Sequence, residues 1–281
     1  MMCTSPIVIK GDNGYMTVPC GQCIACRLNR NSEVATRIYA ESRMHDDNIF
    51  LTLTYDDEHL PENDSVKVDE LQKFMKRLRR LIEPDKIRYY AVGEYGGTFM
   101  RPHYHLAIFG LSGFDERVFS GHIYDRKSKG YYVECKAWHN GLVHFGFISR
   151  RSAEYIAGYI LKKVTGEKGK EHYKELGIEP EFAIMSRKPG LGLAFMDKFR
   201  DELLSHEFLV IDGRKKPLPR YFREKLGIKD KVGHQIKKDE EHLKYFEEMS
   251  KISFEELLER GKKARETRLQ QARNNNERYK R

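Results

Sequence analysis

The stretch Arg101-Pro102-His103-Tyr104-His105-Leu106-Ala107-Ile108 constrains the fold more than any other part of the chain. Its residue pattern predicts a β-strand over residues 103–109. Successive side chains of a strand point to opposite faces, so His103 and His105 share one face, while Tyr104 and Leu106 share the other. Two imidazoles on one face can bind one metal ion, although an H-x-H pair alone is also compatible with ordinary strand histidines.

A second strand, predicted over residues 87–94, precedes this one. The connection contains Gly96-Gly97 and Pro102, which favour a turn, so we expect the two strands to form an antiparallel hairpin. The hairpin would return Glu94 to the side of His103 and His105 as a third donor. Two imidazoles and one carboxylate leave coordination positions for water and a substrate oxygen, as a catalytic metal site requires.

A later segment, Ala153-Glu154-Tyr155-Ile156-Ala157-Gly158-Tyr159-Ile160-Leu161-Lys162-Lys163, predicts a helix. At about 100° per residue, Tyr155, Tyr159 and Lys162 fall on one stripe, with Lys163 at its edge and the apolar residues on the opposite stripe. This separation favours two phenols held near a phosphate rather than core packing. Tyrosines four residues apart also commonly pack against a neighbouring element, so that interpretation stays open.

The pattern of hydrophobic residues in the other segments of the chain predicts an α+β fold with a central antiparallel sheet flanked by helices. Ser152 is the expected cap of the tyrosine helix, which would run to about Val164. The other predicted elements are helices at 27–44, 66–82 and 195–204, strands at 49–55 and 141–148, a weaker stretch at 118–138, a flexible boundary at 166–170 and a loop at 185–192. Three regions are expected: a Cys-rich N-terminal segment and helix packed on the core (1–46), the main domain (47–228) and a charged helical tail (229–281).

The charge balance favours an anionic partner, most simply nucleic acid. The 281 residues include 51 Lys and Arg against 42 Asp and Glu, a formal net charge of +9 at pH 7. No stretch approaches the ~20 consecutive apolar residues that span a bilayer, and the first six residues open no apolar signal core. We therefore expect a protein that is neither membrane-spanning nor secreted.

Three of the five cysteines lie in the run Cys20-Gly-Gln-Cys23-Ile-Ala-Cys26. This spacing suits convergence on one metal ion better than strain-free disulfides, and the odd number of cysteines fits a reducing compartment. With Cys3 as a fourth donor, the run predicts a tetrahedral zinc site or, less favourably, an iron–sulfur site. Reduced thiols at the start of a helix are the alternative.

Together these residues predict cleavage of a DNA strand by transesterification. A metal at Glu94, His103 and His105 would polarise a phosphodiester, and a tyrosine phenolate would attack phosphorus. The products would be a 5′-phosphotyrosyl protein and a free 3′-hydroxyl. Because this bond is itself a phosphodiester, the ends can be rejoined without ATP, which agrees with the absence of a G-x-x-x-x-G-K-[ST] motif.

The H-x-H pair, the upstream acidic residue and the Y-x-x-x-Y helix resemble the HUH endonuclease superfamily of rolling-circle replication initiators, in its two-tyrosine branch. The chain is similar more specifically to the replication initiators of single-stranded DNA microviruses, especially the gokushovirus group. The ordered motifs that carry this resemblance are C-x-x-C-x-x-C-R at 20–27, FLTLTY at 50–55, RPHYH at 101–105, Y-x-x-x-Y-x-x-K-K at 155–163 and MSRKPGLG at 185–192. They extend over about residues 3–222.

The resemblance implies an HUH endonuclease domain with an RRM-like core at 47–228. The implied metal is Mg²⁺ or Mn²⁺, with Mn²⁺ the more natural partner of imidazole. The implied roles are metal ligation by Glu94, His103 and His105, catalysis by Tyr155 and Tyr159, and phosphate contact by Lys162 or Lys163. Members of this family nick the viral strand of duplex circular DNA at an origin, and the 3′-hydroxyl primes synthesis. They then cut the new strand and ligate it into a DNA circle of unit length. Host helicase, single-strand-binding protein and DNA polymerase would be partners, in the cytoplasm of the bacterial host.

Several basic and aromatic residues are candidates for contact with single-stranded or origin duplex DNA. They are Arg77, Arg79, Arg80, Arg150, Arg151, Arg214, Lys215, Lys216 and Arg220, with Tyr89, Tyr90, Tyr95 and Phe99 as stacking candidates. For any single one of them, a solvated surface charge or a half-buried sheet aromatic is the favoured interpretation. Two alternative functions stay open: an HUH relaxase or transposase of a mobile element, and a non-catalytic zinc-dependent DNA-binding protein.

Overall fold

The predicted antiparallel sheet is present and forms the centre of the protein. A computed structural model describes residues 3–11, 14–97, 99–159 and 163–228, all within one compact unit, Met1–Ile228. Within them, a seven-stranded sheet has the order β6-β7-β8-β3-β5-β4-β9. The strands are β3 (Asn48–Thr54), β4 (Arg88–Tyr95), β5 (Pro102–Phe109), β6 (Phe119–Asp125), β7 (Gly130–Cys135), β8 (Trp138–Phe147) and β9 (Phe182–Met185).

Two small hairpins and seven described helices accompany the sheet. The hairpins pair β1 (Ile7–Gly11) with β2 (Gly14–Val18), and β10 (Phe208–Ile211) with β11 (Arg214–Pro217). The helices are α1 (Ile24–Ser42), α2 (Val68–Leu81), α3 (Arg150–Gly158), α4 (Glu167–Leu176), α5 (Leu193–Lys198), α6 (Arg200–His206) and α7 (Arg220–Leu226). The α+β class is thus confirmed, whereas the three region boundaries stay predictions because the tail at 229–281 lies outside the described residues.

The two faces of the sheet are covered by different helices. Alternation along β3 buries Ile49, Leu51 and Leu53 against one face, where α2 contributes Leu71 and Phe74 to the same core. Acidic residues in the first turn of α2 and basic residues in its last turn complement the helix dipole. On the opposite face, α1 and α3 pack over β4 and β5 through a second core that includes Ile38, Ile156 and Phe109.

The tyrosine helix differs from its prediction at the N-terminus. Its N-cap is Ser149 rather than Ser152. Ser152 completes a capping box, because its backbone N–H donates to Oγ of Ser149 and its own Oγ accepts from the Ser149 backbone N–H. The sequence Ser149-Arg-Arg-Ser152 offers two candidate caps three residues apart, and the reciprocal pair satisfies two otherwise unpaired N–H groups. The α-helix is described as far as Gly158, and Tyr159 follows it with helical backbone angles. The predicted continuation to about Val164 crosses residues 160–162, which lie outside the described residues.

Candidate active site

The hairpin of β4 and β5 brings Glu94 to the histidines, as predicted. Glu94 is directly opposite His103 in the antiparallel register, and β5 lies inside the sheet between β3 and β4. Residues opposite each other in an antiparallel pair project to the same face. Glu94, His103 and His105 therefore share one face of the sheet, which is also the face that α3 covers.

Glu94 and His105 form the buried part of this group. Glu94 is 5% exposed and His105 is 7% exposed. The Oε1 atom of Glu94 lies 3.1 Å from Nε2 of His105, and Oγ1 of Thr52 on β3 lies 3.0 Å from Nδ1 of the same ring. Both ring nitrogens of His105 thus have partners from the two neighbouring strands, which fixes the plane of the imidazole.

His103 lies two residues earlier on β5 and is more exposed than His105. Its Nδ1 donates to the backbone oxygen of Arg101 at 2.7 Å, so Nε2 is the ring nitrogen that could bind a metal ion. The rings of His103 and His105 are nearly parallel, with 5° between their planes and 6.5 Å between their centroids. Within the described residues, Glu94, His103 and His105 are less tightly converged than the cysteine cluster at the start of α1.

Helix α3 places both tyrosines against His105. The Tyr159 ring stacks on the imidazole with 4.3 Å between centroids and 4° between planes. The Tyr155 ring is 6.4 Å from that of His105 and 4.8 Å from that of Tyr159. Phe50 on β3 completes the group at 6.1 Å from Tyr155. Two imidazoles, a carboxylate and two phenols thus meet at one place on the sheet.

The two tyrosines differ strongly in their surroundings. Tyr155 is 59% exposed, whereas Tyr159 is 4% exposed and belongs to the apolar core between α3 and the sheet. Burial raises the pKa of Tyr159 above its usual range, and the hydrogen bond to Tyr155 and the charge of Glu94 add to this effect. The predicted tyrosine stripe separate from the apolar stripe is therefore wrong for Tyr159, because the helix lies so close to β5 that this position is covered.

Of the two lysines predicted to contact a phosphate, Lys163 is described and Lys162 lies outside the described residues. The ammonium group of Lys163 donates to the backbone oxygen of Glu181 at 2.8 Å, and the backbone oxygen of Lys163 accepts from the Arg27 guanidinium at 2.7 Å. In this arrangement Lys163 links the segment after α3 to the residue before β9.

Some predicted DNA-contacting residues have structural roles instead. Tyr90 and Tyr95 are buried in the core, so the structure contradicts stacking of these rings on bases. Arg77 donates to the backbone oxygen of Ala137, and Arg150 pairs with Asp212 at 2.9 Å. Phe99, by contrast, is 82% exposed. The sequence pattern groups buried and exposed rings together, because it does not tell which face of the sheet a helix will cover.

The four predicted cysteine donors come together at the start of α1. The Sγ atoms of Cys3, Cys20, Cys23 and Cys26 all lie within 4.8 Å of one another. Hydrogen bonds from backbone N–H groups, chiefly that of Cys26 and then that of Thr4, lower the pKa of Cys23 to about 5, whereas burial raises the pKa of Cys26 to about 12. This cluster can hold a metal ion such as zinc.

Thr52 is the residue of this site that the sequence did not single out. It stands in the FLTLTY motif, and strand alternation alone places it on the same face as Phe50. Its pairing with His105 required the register between β3 and β5, which no local pattern specifies.

The class of protein follows from a match to one family. The family model for replication-associated proteins of the ORF2 type matches residues 48–164. That span contains β3, the β4–β5 hairpin and α3, and so all the residues gathered around His105. No solved structure gives a significant match.

Three phage or viral proteins are similar over most of the chain. Replication-associated protein VP4 of Bdellovibrio phage phiMH2K is 35% identical over 216 residues, which are 73% of this chain and 66% of that protein. Replication-associated protein ORF2 of Spiroplasma virus 4 is 31% identical over 87% of this chain and 76% of its own length. Replication-associated protein ORF4 of Chlamydia phage 1 is 28% identical over 74% of this chain and 53% of its own length. The chain belongs to this family of replication-associated proteins, which confirms the resemblance to microvirus replication initiators.

Among the described residues, no helix combines the length and apolarity needed to cross a membrane.

Proposed function

We propose that this protein is a rolling-circle replication initiator that nicks and reseals single-stranded DNA through a tyrosine. The observation that carries the proposal is the position of Tyr155 and Tyr159 directly against His105 and Glu94. Phenols, two imidazoles and a carboxylate on one face of a sheet are the groups that this transesterification requires.

Glu94 and His105 have the spacing of two neighbouring ligands of a divalent ion of the Mg²⁺ or Mn²⁺ type. Glu94 Oε1 and His105 Nε2 are 3.1 Å apart, and neighbouring ligands of an octahedral ion with bonds of about 2.1 Å are separated by roughly 3 Å. Glu94, His103 and His105 would hold the ion, and Thr52 and the Arg101 carbonyl would orient the two rings. When bound, the ion supplies polarisation of the scissile phosphodiester.

Tyr155 is the residue we assign to the first cleavage, because its phenol is exposed while that of Tyr159 is covered. The Tyr155 oxygen forms a bond to phosphorus, the bond from phosphorus to the 3′-oxygen breaks, and the phenolic proton is lost to solvent as the leaving oxygen takes up a proton. The 3′-hydroxyl can then prime synthesis. Resealing is the reverse reaction, in which a 3′-hydroxyl attacks the phosphotyrosine.

Tyr159 would serve a second cleavage after the first strand end has been captured. Its phenol is covered in the described arrangement, so it must become accessible to DNA before it attacks. The proposed function includes the host helicase, single-strand-binding protein and polymerase as partners, and the host cytoplasm as the location. The family relationship to replication-associated proteins favours this function over a relaxase or transposase.

The test is covalent capture of DNA. Oligonucleotides labelled at the 3′ end, tiling the viral strand that encodes the chain, are incubated with the protein and Mn²⁺ and separated under denaturing conditions. We expect a labelled protein band that EDTA abolishes and that peptide mapping assigns to Tyr155. The double variant Tyr155→Phe/Tyr159→Phe should lose the band but still bind the oligonucleotide.

Tyr124→Phe is the matched control, because Tyr124 is similarly exposed on β6 and lies outside the candidate site. This variant should capture DNA as the unmodified protein does. A band that survives in the double variant overturns the tyrosine assignment. DNA binding without any covalent band would instead support the non-catalytic DNA-binding alternative.

A further inference from the structure

The cysteine cluster has the dimensions of a site for a single metal ion. The Sγ atoms of Cys3 and Cys23 are 3.8 Å apart, and the four thiol sulfurs all lie within 4.8 Å of one another. A tetrahedral ion with Zn–S bonds of about 2.3 Å separates its thiolates by about 3.8 Å. In an iron–sulfur cluster, the thiolates bind different iron atoms and therefore lie further apart. The spacing thus favours one ion over a cluster.

The backbone around the cluster is arranged to stabilise thiolates. The N–H of Cys20 donates to Sγ of Cys3 at 3.3 Å, and the N–H of Cys23 donates to Sγ of Cys20 at 3.3 Å. Cys3 and Cys26 are buried, whereas Cys20 and Cys23 are partly exposed. Hydrogen bonds of this kind orient metal ligands and offset their negative charge. All five cysteines of the chain are free thiols in this arrangement.

The β1–β2 hairpin explains how a distant residue reaches the cluster. Cys3 precedes β1 and Cys20 follows β2, and the antiparallel register pairs Ile7 with Val18. The two chain ends of the hairpin therefore meet beside Cys23 and Cys26 at the start of α1. Along the described side chains of β1, Ile7, Val8 and Ile9 are exposed, so they contribute little burial that would hold the hairpin there without a bound ion. An isolated two-stranded hairpin is only marginally stable.

The cysteine loop, residues 20–27, contacts the segment that follows the tyrosines. Arg27, next to Cys26, donates to the backbone oxygen of Lys163 at 2.7 Å. Gln22, between Cys20 and Cys23, lies beside Gly166, where a β-carbon would be 3.8 Å from Oε1 of Gln22. The cysteine loop and residues 163–166 are therefore in direct contact, and Lys163 is four positions beyond Tyr159.

We propose that Cys3, Cys20, Cys23 and Cys26 bind one Zn²⁺ ion as a tetrathiolate. We further propose that this site, through Arg27, positions residues 163–166, which follow the tyrosine helix in the sequence. Arg27 is a positioning residue because it acts on the backbone of the segment. The metal site and its effect on residues 163–166 are independent of the proposed function.

Metal analysis of the full chain tests the site directly. The protein is purified under reducing conditions, reconstituted with zinc, freed of excess metal and analysed for zinc and iron. We expect one zinc ion per chain, and after exchange with Co²⁺ we expect the absorption of a tetrahedral cobalt–thiolate site. No retained metal, or iron in place of zinc, overturns the assignment. These measurements need no variant and hold even if a cysteine variant fails to fold.

The chain provides a matched cysteine control. Cys135 on β7 is buried but lies outside the cluster, so Cys135→Ala should retain one zinc ion, whereas Cys23→Ser should lose zinc and the cobalt spectrum. If Cys135→Ala loses zinc as Cys23→Ser does, or if both retain it, the four assigned ligands are wrong.

Hydrogen exchange tests the positioning role. Removal of zinc by a chelator should accelerate amide exchange at residues 163–166 by at least about tenfold and leave the core strand β5 unchanged. Arg27→Met should accelerate the same amides while zinc is retained. Unchanged exchange at 163–166 in both experiments overturns the positioning role. Zinc binding without covalent DNA capture would overturn the proposed function alone, and capture by a chain that binds no zinc would overturn this inference alone.

Discussion

Two buried glutamates, Glu41 on α1 and Glu94 on β4, have similar burial and different surroundings. They are 1% and 5% exposed, and each has a carboxylate oxygen 3.1 Å from Nε2 of a histidine, His45 and His105 respectively. Burial of a carboxylate costs several kcal/mol unless partners compensate for the lost hydration. The two sites differ in which groups provide that compensation.

Besides His45, Glu41 contacts an arginine, which keeps its charge, and a backbone donor. Arg88 lies 2.5 Å from Oε1, and the N–H of Gly192 donates to Oε2 at 2.5 Å. Burial by itself would raise the pKa of Glu41, but the hydrogen bonds from His45 and Gly192 outweigh it and hold the pKa below its usual range. The carboxylate thus joins α1, β4 and the loop before α5.

Glu94 instead faces titratable rings. It contacts His105 and contributes, through its charge, to the raised pKa of Tyr159. The comparison teaches that burial alone does not distinguish a structural carboxylate from a functional one. Both glutamates contact an imidazole, so the distinction lies in the other partners. An arginine and a backbone N–H from separate elements indicate a structural link for Glu41, whereas the phenol of Tyr159 beside an exposed tyrosine supports the proposed role of Glu94 in catalysis.

The largest expected effect is on stability, from Glu41→Ala. This substitution removes the buried carboxylate that pairs with Arg88, whose side chain is 18% exposed. We therefore expect the free energy of unfolding to fall by about 3 kcal/mol, the lower end of the range for a broken buried pair, measured by urea denaturation. Glu224→Ala is the control, because Glu224 forms an exposed pair with Arg220 and such a pair contributes less than about 1 kcal/mol. Equal losses in the two variants would show that Glu41 does not link the elements.

The pH dependence of this effect has a definite sign. Because the folded-state pKa of Glu41 is depressed, its stabilising contribution is fully present above the unfolded-state pKa of about 4.3 and is lost as the pH falls through the folded value. The difference between the unmodified protein and Glu41→Ala should therefore shrink in acid. A difference that grows on acidification would contradict this account.

The next effect is on activity, from Glu94→Gln. The amide keeps the shape of the side chain but removes the negative charge of the proposed metal ligand, so we expect the rate of covalent DNA capture in Mn²⁺ to fall by about 10²–10³-fold. Single-turnover measurement of the labelled protein band gives this rate. The melting temperature should change by no more than a few degrees.

The two glutamates together form a crossed test. Glu41→Ala, assayed well below its melting temperature, should capture DNA within a fewfold of the normal rate, while Glu94→Gln should not. If Glu41→Ala abolishes capture in a folded protein, or if Glu94→Gln captures normally, the division into a structural and a functional carboxylate is wrong.

Local patterns predicted those parts of the structure that depend on short stretches of chain. Strand alternation placed His103 and His105 on one face, and the turn residues between β4 and β5 correctly returned Glu94 to them. The spacing of Cys20, Cys23 and Cys26 likewise predicted their convergence. In each case a few residues and a known period are sufficient, because the relevant contacts are close in sequence.

Contacts between distant elements were not predictable in the same way. The burial of Tyr159 depends on how closely α3 approaches β5, and the surroundings of Glu41 depend on Gly192, which is 151 residues away. The helical period placed Tyr159 on the face of Tyr155, but it carries no information about which face a sheet will cover. Such contacts depend on strand order and packing, which the hydrophobic pattern of one element does not specify.

The smallest expected effect comes from Thr52→Val, which tests whether the surroundings of Glu94 and His105 act as one site. Valine has the shape of threonine but removes the hydroxyl that lies 3.0 Å from Nδ1 of His105. Loss of such an orienting partner typically weakens a metal site by 10–100-fold, so we expect about tenfold more Mn²⁺ to be needed for half-maximal capture, with the rate at saturating Mn²⁺ nearly restored. Thr54→Val is the matched control, since Thr54 lies on the same strand and face but donates to the backbone oxygen of Leu142. Restoration at high Mn²⁺ distinguishes a positioning role from general damage, because a disrupted fold would lower capture at every concentration of the ion.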